Sequence, residues 1–180
     1  MDRRHRFGGV KDAQGDRLFL EPGLDWRPVS PRLVTERRVP VAGLGLVGLG
    51  LVVGAAIMAA RGSSYLGLLI PGVIVLVVAL ANWFVFVPRV VSSWRYAERE
   101  QDLLVTHGRL RRSLSVVPYG RMQVIEVSAN PIAQRLGIAT VKLVTASAST
   151  DATIPGLPVE EAHELRDRLS AKGEALSAGL

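Results

Sequence analysis

The sequence of 180 residues contains no cysteine. This absence excludes disulfide bonds, thiol catalysis and cysteine-ligated metal centres. Acidic residues are also missing from a long central stretch, because no Asp or Glu occurs between Glu36 and Glu98. Within it, Arg61 is the only charged residue from Val39 to Val87. A soluble helical segment of this length normally shows a polar face, so the lack of charge points to a membrane environment.

Arg61 lies between two uncharged runs, 39–60 and 66–87, each of twenty-two residues. A bilayer core of about 30 Å is crossed by about 20 apolar residues of helix. The pattern therefore predicts a two-helix transmembrane hairpin with a short RGSSY turn. Two buried helices of a soluble protein are the alternative, but neither run has a polar stripe. A secretory signal is disfavoured because the first run begins too far from the amino terminus.

The formal net charge of +6 is distributed around the predicted hairpin. Nine Arg or Lys residues precede the first run, seven lie between residues 88 and 121, and the turn carries one. Positively charged residues that flank membrane spans are retained in the cytoplasm, so we expect both termini on the cytoplasmic side of the cell membrane. Arg37, Arg38 and Arg89 are placed to meet anionic headgroups. No nucleic-acid-reading motif accompanies the charge, so membrane lipids and not nucleic acid are the expected partners.

The first run is rich in glycine. Gly43 to Gly48 matches the GxGxxG nucleotide fingerprint, but no strand precedes it and no acidic residue follows about 20 positions later. We interpret the glycines instead as a helix-packing surface, in which Gly50 and Gly54 form a GxxxG pair. The sequence leaves open whether this surface meets the second run or another protomer.

The second run ends in a group of aromatic residues. Trp83 and Trp94 are expected to anchor the chain at headgroup level, with Arg89 beside them. Pro71 predicts a kink, and Asn82 is expected to find a partner at a helix interface or a lipid headgroup. Because this run has no charged residue that could bind ions or relay protons, it does not indicate transport.

The part after the hairpin changes to a strand-like period. It predicts about six antiparallel strands and a final helix beginning near Pro158. Leu114 and Val116 are placed on one face of a strand, together with Leu110 and Arg112. Asn130-Pro131 predicts a short helix that ends at a glycine cap, Gly137. The expected fold is an α+β membrane protein, in which a small antiparallel barrel or sandwich with a carboxy-terminal helix follows the hairpin.

Four segments follow from these patterns. Residues 1–29 mix glycine with charges of both signs and predict a disordered cytoplasmic tail. Ser30 and Pro31 resemble a helix start, so 30–88 is assigned to a juxtamembrane helix and the hairpin. The cytoplasmic domain is expected at 89–172. The last segment, 173–180, has no apolar stripe or cap and is expected to fray.

In this order the segments resemble the bacterial PH-like membrane domain family, the YdbS-like proteins. The resemblance covers roughly residues 30–169 and depends on the hairpin, on RMQVIEVSANPIAQRLGIATVKLVTA at 121–146 and on ATIPGLPVEEAHELRDRL at 152–169. The positions that carry it are Pro118, Arg121, Gln123, Pro131, Arg135, Leu136, Gly137 and the segment from Ile154 to Leu157.

The resemblance implies a pleckstrin-homology-like barrel at the cytoplasmic face. Lipid-reading members of the wider PH class hold inositol phosphates with basic residues in their first hairpin loop. The equivalent loop here, from Glu98 to Asp102, has three acids around one arginine. We therefore do not carry phosphoinositide binding over to this chain.

No residue pattern indicates catalysis. The three histidines lack metal-ligand spacing, and no serine has the setting of a nucleophile. We expect no enzyme, no metal and no cofactor. The residues of most functional interest are Arg109, Arg111 and Arg112, which are candidates for contact with anionic lipid or an acidic partner. A solvated hairpin rim is the alternative interpretation of these arginines.

Two functions are consistent with these features. The first is a membrane-anchored interaction or scaffold module that binds anionic lipid, itself or a membrane-protein partner such as a larger multi-domain relative. The second is a subunit of an export or envelope-protection complex that assembles through the glycine-rich hairpin. An enzyme with a concealed site is a third possibility that no motif supports.

Overall fold

The computed structural model describes residues 23–109, 112–146 and 151–178. Its amino-terminal part is a helical hairpin. The first helix, α1, is Arg32–Ala60, and the second, α2, is Leu66–Ala81. Both have the length and hydropathy of a membrane span, with α2 counted together with its extension to Val91. The turn lies between residues 60 and 66, as the charge pattern predicts.

The second helix continues through a π-helical turn, Asn82–Phe86, into a short helix, α3, Val87–Val91. The Val87 amide donates to the Asn82 carbonyl, five residues back. Since Pro88 has no amide hydrogen, the Trp83 carbonyl has no donor within its own helix. The departure from α-helical geometry therefore lies beside Pro88. At Pro71, where the sequence predicts a kink, the chain keeps its assignment as part of helix α2.

Most apolar side chains of the hairpin are exposed and do not pack against the rest of the protein. The buried positions of α1 are Leu33, Gly48 and Ala55. By contrast, Leu46 is 70% exposed and Phe84 is 67% exposed. Exposed apolar faces of this extent are unfavourable in water and suit contact with lipid tails. This exposure contradicts the alternative of two buried helices in a soluble protein.

The described residues after the hairpin form six strands, which are numbered from β2 because a short strand precedes the hairpin. They are β2 Arg95–Glu98, β3 Asp102–His107, β4 Ser113–Pro118, β5 Met122–Ser128, β6 Ile138–Thr145 and β7 Ala152–Pro158. A single 3₁₀ turn, Tyr119–Arg121, connects β4 to β5. The last three strands form one antiparallel sheet and β2, β3 and β4 belong to another. Because the described strands remain two separate sheets, the barrel is not closed.

One additional strand precedes the hairpin. This strand, β1, is Arg27–Pro28 and pairs with β2, with Arg27 opposite Tyr96. The next residue, Val29, is buried in the core. The expectation that residues 1–29 form a disordered tail is therefore wrong for 27–29, because these residues belong to the domain. The part of that segment before residue 23 lies outside the described residues.

The two helices of the domain begin and end at local signals. Helix α4, Pro131–Leu136, is capped by Asn130, whose Oδ1 accepts from the Ala133 amide at 2.8 Å. It ends at Gly137 with φ 66°, which confirms the predicted cap. Helix α5 is Val159–Ala178, so the predicted fraying from 173 is wrong up to Ala178. Leu176 packs against the core and supports this last part of the helix.

The core lies between the two sheets and α5. Tyr96 is fully buried, and its hydroxyl donates to Glu161 on α5. Both sheets and the helix contribute further large buried side chains, which include Leu103, Val105, Val117, Ile138, Val141, Leu143, Ile154, Leu157, Leu165 and Leu169, and Tyr119 and Leu33 complete the core from the 3₁₀ turn and α1.

The sequence pattern puts Leu114 and Val116 on one face of β4, and the structure buries the opposite face. Val117 is buried, whereas Leu114 and Val116 are 36% and 39% exposed. The register explains this, because Val117 lies opposite Leu103, whose side chain is on the core face. In a strand, a shift of one residue exchanges the two faces, and local spacing cannot determine which face is buried. Leu110, also placed on that face, lies outside the described residues.

Candidate membrane-facing site

The domain and the hairpin are joined at a β-bulge. Between Ala139 and Val141 of β6, strand β7 carries one extra residue, and Gly156 has φ +70°. The Gly156 carbonyl accepts from the Ser30 amide at 2.9 Å. A Cβ on Gly156 would lie 2.7 Å from the Cβ of Leu33, which is 2% exposed. The glycine therefore provides the space in which the start of α1 enters the domain.

Two side-chain contacts support the same junction. Arg32 Nη1 donates to the Leu136 carbonyl at 3.1 Å, at the carboxyl end of α4. Asn130 Nδ2 donates to Glu36 Oε1 at 2.6 Å, at the other end of that helix. The first turns of α1 are therefore held by the segments that carry the family resemblance, those ending at Gly137 and around Gly156. Sequence reasoning did not predict this junction, although a Pro-Gly pair inside a strand pattern indicates a bulge or a close backbone approach.

The β3–β4 turn lies beside the exit of the second span. The Gly108 amide donates to Ser93 Oγ at 3.1 Å, and Ser93 is the second residue after the end of α3. The ring of Trp94 stacks on the ring of His107, with centroids 4.4 Å apart and planes 12° apart. These contacts bring Arg109, which is exposed, to the end of the domain nearest the hairpin.

The other two candidate arginines differ from Arg109. Arg112 is half-buried and makes contacts of its own within the protein. Arg111 lies outside the described residues. The structure thus places Arg109 and Arg112 on the β3–β4 turn beside the exit of the second span, and contact with lipid or an acidic partner stays a prediction.

Trp83 and Arg38 form a second contact at the exit of the hairpin. The Arg38 guanidinium carbon lies 5.1 Å from the centre of the Trp83 ring, and Nη2 donates at 3.4 Å to the Trp83 carbonyl. This carbonyl is the one that lacks a donor within its own helix, so Arg38 compensates for the π-turn. Arg89 is exposed, and its Nη1 donates to the Val85 carbonyl at 3.3 Å. The anchoring roles of Trp83, Arg89 and Trp94 in lipid stay predictions.

Close packing of the two spans occurs at glycines other than the predicted pair. A Cβ on Gly48 would lie 3.0 Å from the backbone nitrogen of Leu76, and one on Gly72 would lie 3.1 Å from that of Val52. A Cβ on Gly54 would lie 3.7 Å from a side-chain atom, which is an ordinary contact, and a Cβ on Gly50 would have no neighbour within 4 Å. Within the hairpin, therefore, Gly48 and Gly72 make the close approach, and Gly50 stays a prediction for another helix.

A polar cluster occupies the other end of the same strands. Glu98 accepts from Arg168 Nη2 at 3.0 Å and from Lys172 Nζ at 3.3 Å. Burial alone would raise the pKa of Glu98, but the hydrogen bonds and charges of Arg168 and Lys172 outweigh burial and hold the pKa below its ordinary value. Burial, followed by the charges of Glu98 and Asp102, raises the pKa of Tyr119. The acidic loop is thus engaged with helix α5.

The described side chains show no arrangement typical of a catalytic site. Among them, no group of three His, Cys, Asp or Glu residues could hold a metal ion. His107 is stacked on Trp94, and His163 is exposed on α5. The contacts that the structure describes are packing contacts, ion pairs and a basic turn beside the exit of the second span.

A transmembrane hairpin joined to a two-sheet domain with a packed carboxy-terminal helix defines a membrane-anchored PH-like protein. Residues 39–173 match the family model for the bacterial PH domain, and the chain belongs to this family. The matching family is not known as a catalytic one.

The chain is also 36% identical over 77 residues to the UPF0699 transmembrane protein YdbS of Bacillus subtilis (strain 168). The alignment covers 43% of this chain and 47% of that protein, so the chain spans about half the length of the curated relative it matches. No solved structure matches the chain. These matches confirm the resemblance to YdbS-like proteins.

Proposed function

We propose that this protein is a non-catalytic interaction module that holds its PH-like domain in a fixed orientation on the cytoplasmic face of the cell membrane. In this orientation the β3–β4 turn meets anionic headgroups, and the end of the domain around Glu98 is available to a protein partner. The observation that carries the proposal is the contact of Gly108 with Ser93, which holds the basic turn beside the exit of the second span.

Two further features support a fixed orientation. Leu33 and Val29 belong to the core of the domain, although Leu33 lies in the first turn of the membrane helix. The domain is therefore attached to the hairpin through its own core and not through a flexible linker. The flanking arginines favour the cytoplasmic side, since positive residues near the ends of spans are retained there.

The test uses the full chain in nanodiscs, because a fragment that begins after the hairpin would lack Val29 and Leu33 of the core. Amide hydrogen exchange of residues 107–113 is compared between discs with and without anionic lipid. We expect exchange about fivefold slower with anionic lipid, as about 1 kcal/mol per basic residue near a charged surface predicts.

The double variant R109E/R112E should lose this protection. The matched control, R121E/R166E, makes the same charge change on residues outside the membrane-facing turn and should retain it. Exchange that does not depend on lipid charge in the parent protein would contradict the proposed surface contact.

A second candidate function is that of a subunit in a larger membrane complex for export or envelope protection. One observation favours it: Gly50 has open space around it, so a helix of another protein could approach the backbone there. Replacement Gly50→Leu should then reduce recovery of partners from native membranes. The control Gly67→Leu, at another glycine with nothing within 4 Å, should not. Equal recovery from both variants would exclude assembly through Gly50.

A further inference from the structure

A cleft of about 440 Å³ lies where the hairpin meets the domain. One wall is the first part of α1, and the opposite walls are the exit of the second span and the bulged strands β6 and β7. The volume is within the range of about 300–1,000 Å³ that small-molecule sites occupy. Because α1 and the second span both lead into the membrane, the cleft lies at the depth of lipid headgroups.

Three polar side chains in the cleft have no partner among the residues that the structure describes. Arg37, Asn82 and Thr140 line the cleft, and none of these side chains makes a hydrogen bond or ion pair with a described residue. Arg37 is exposed and Asn82 and Thr140 are half-buried, so all three side chains are accessible to a bound headgroup. A guanidinium, a carboxamide and a hydroxyl share one property: all three donate hydrogen bonds. They fit a ligand with several acceptor oxygens, such as a phosphodiester.

Glu36 adds a second requirement. Its Oε1 accepts from Asn130, which leaves Oε2 for another donor. It lies next to Arg37 in the chain, and both line the cleft. A ligand that fills this space must place a negative group near Arg37 and a positive group near Glu36, because an unpaired charge is unfavourable at this depth.

The apolar wall continues from these groups toward the membrane. Pro40 and Val41 of α1 line it on one side, and Val87 lines it on the other. A ligand with hydrocarbon tails could extend along this wall into the bilayer. The cleft therefore combines a charged headgroup region with an apolar exit.

We propose that this cleft binds one phospholipid molecule with a phosphoethanolamine headgroup, whose phosphate accepts hydrogen bonds from Arg37 and Asn82 and whose ammonium donates to Glu36. The inference extends the proposed function from a lipid surface to a single lipid. It rests on the membrane attachment of that function, and it does not require the arginines of the β3–β4 turn.

The chemistry distinguishes this lipid from two related ones. Phosphatidylcholine carries the same charges, but its quaternary ammonium has no N–H group to donate to Glu36. Phosphatidylglycerol has the phosphate and lacks the ammonium, so the Glu36 carboxylate would have no opposite charge. Of the three headgroups, phosphoethanolamine alone offers a phosphate to Arg37 and a charged N–H donor to Glu36.

The test is native mass spectrometry of the delipidated full chain in detergent. The protein is mixed with equal amounts of phosphatidylethanolamine, phosphatidylcholine and phosphatidylglycerol with identical acyl chains. We expect one bound phosphatidylethanolamine, preferred about tenfold over the other two, which is the ratio for one hydrogen bond between charged groups.

Three variants identify the contacts. Glu36→Gln keeps an acceptor for Asn130 and should remove the preference for phosphatidylethanolamine. Arg37→Gln and Asn82→Ala should each lower retention of all three lipids, by about tenfold and fivefold respectively for a charged and a neutral donor. Equal retention of the three lipids by the parent protein, or an unchanged preference in Glu36→Gln, would overturn the inference.

A second measurement does not depend on variants. A phosphatidylethanolamine with a photoreactive group near its headgroup is added to the parent protein in nanodiscs and cross-linked. We expect labelled peptides from 33–41, 82–87 and around Thr140, and labelling confined to other regions would overturn the inference.

The variant R109E/R112E separates this inference from the proposed function. It should retain the bound lipid while losing the slowed exchange of the turn. The variant Arg37→Gln should behave in the opposite way, losing the bound lipid while the turn keeps its slowed exchange. If the cleft retains no lipid but the turn remains protected, the inference fails and the proposed function stands.

Discussion

At the scale of the residue, Gly156 lies where the domain and the start of the first span pack against each other. It combines a positive φ with a position where a Cβ would be 2.7 Å from Leu33 Cβ. Both features exclude other residues, because a side chain there would be strained and would overlap a buried neighbour. The local sequence shows only a Pro-Gly pair. The reason for the glycine is its close approach to Leu33, which lies more than one hundred residues earlier in the chain.

Replacement Gly156→Ala should therefore destabilise the whole chain. We expect a loss of about 2–5 kcal/mol, the sum of left-handed strain and overpacking, and a fall of roughly 5–15 °C in the melting temperature. Thermal unfolding of the full chain in detergent measures it. The control Gly50→Ala has no neighbour within 4 Å and should melt within about 2 °C of the parent protein. An equal effect in both variants would contradict the role of the junction.

Glu98 gives a prediction for acid stability. Its pKa in the folded protein is lowered from the ordinary value of 4.5, so its contacts with Arg168 and Lys172 stabilise the fold above pH 4.5. This stabilisation is lost as the pH falls through the lowered pKa. Since both basic partners are more than one-third exposed, the effect is expected to be about 1 kcal/mol or less.

The variant Glu98→Gln should be less stable than the parent protein at pH 7 and should approach it in stability near pH 3. Unfolding by denaturant at both pH values measures the difference. Glu174→Gln, on the exposed face of α5, is the control and should follow the parent protein at both values. A constant difference between Glu98→Gln and the parent protein across this range would argue against the ion pairs.

At the scale of the element, the two spans approach at Gly48 and Gly72. These glycines let each backbone contact the opposite helix, which is how helices gain packing energy in lipid. Gly50 belongs to the same helix but points away from α2. A GxxxG spacing identifies a smooth surface on a helix and does not say which side faces the partner helix.

Replacement Gly48→Val should separate the spans. A Cβ there would be 3.0 Å from the Leu76 backbone nitrogen, so the helices must move apart, at a cost of about 1–3 kcal/mol. Because the chain has no cysteine, spin labels at cysteines introduced in place of Leu46 and Val77 report the distance between the helices. We expect a longer and broader distance distribution for Gly48→Val than for the parent protein. The control Gly50→Val should give the same distribution as the parent protein.

At the scale of the whole molecule, the membrane anchor and the domain share one core. The strand before the hairpin pairs with β2, and Leu33 of α1 is buried among residues of the domain. The charged residues Arg32 and Glu36 then contact the two ends of α4. The membrane anchor and the domain are therefore joined through packed side chains and hydrogen bonds.

Replacement Leu33→Ala tests this integration. The loss of a fully buried leucine typically costs about 2–5 kcal/mol. We expect faster amide exchange in β7 and a lower melting temperature of the domain, although residue 33 belongs to the membrane helix. The control Leu46→Ala, which is 70% exposed, should leave exchange in β7 unchanged. Unchanged exchange in Leu33→Ala would mean that the domain folds independently of the hairpin.

Sequence reasoning succeeded where a signal is local. The length and charge of two apolar runs predict the hairpin, because crossing a bilayer is a requirement that each run meets by itself. The caps at Asn130 and Gly137 are similar cases, since a helix end is satisfied by residues within a few positions. About six strands and a final helix were predicted for the same reason, from the period of the apolar side chains. These features determine the class of fold.

The tertiary structure decided which faces meet. Val117 is buried and Val116 is exposed because β3 sets the register, and Gly48 packs in place of Gly50 because α2 lies on that side. The candidate cleft needs Arg37, Asn82 and Thr140, which are far apart in the chain and come together only through the bulge and the hairpin. The sequence by itself determined the membrane anchor and the kind of domain that follows it. Contacts between distant segments determined how the two are joined, because burial depends on the final position of both partners.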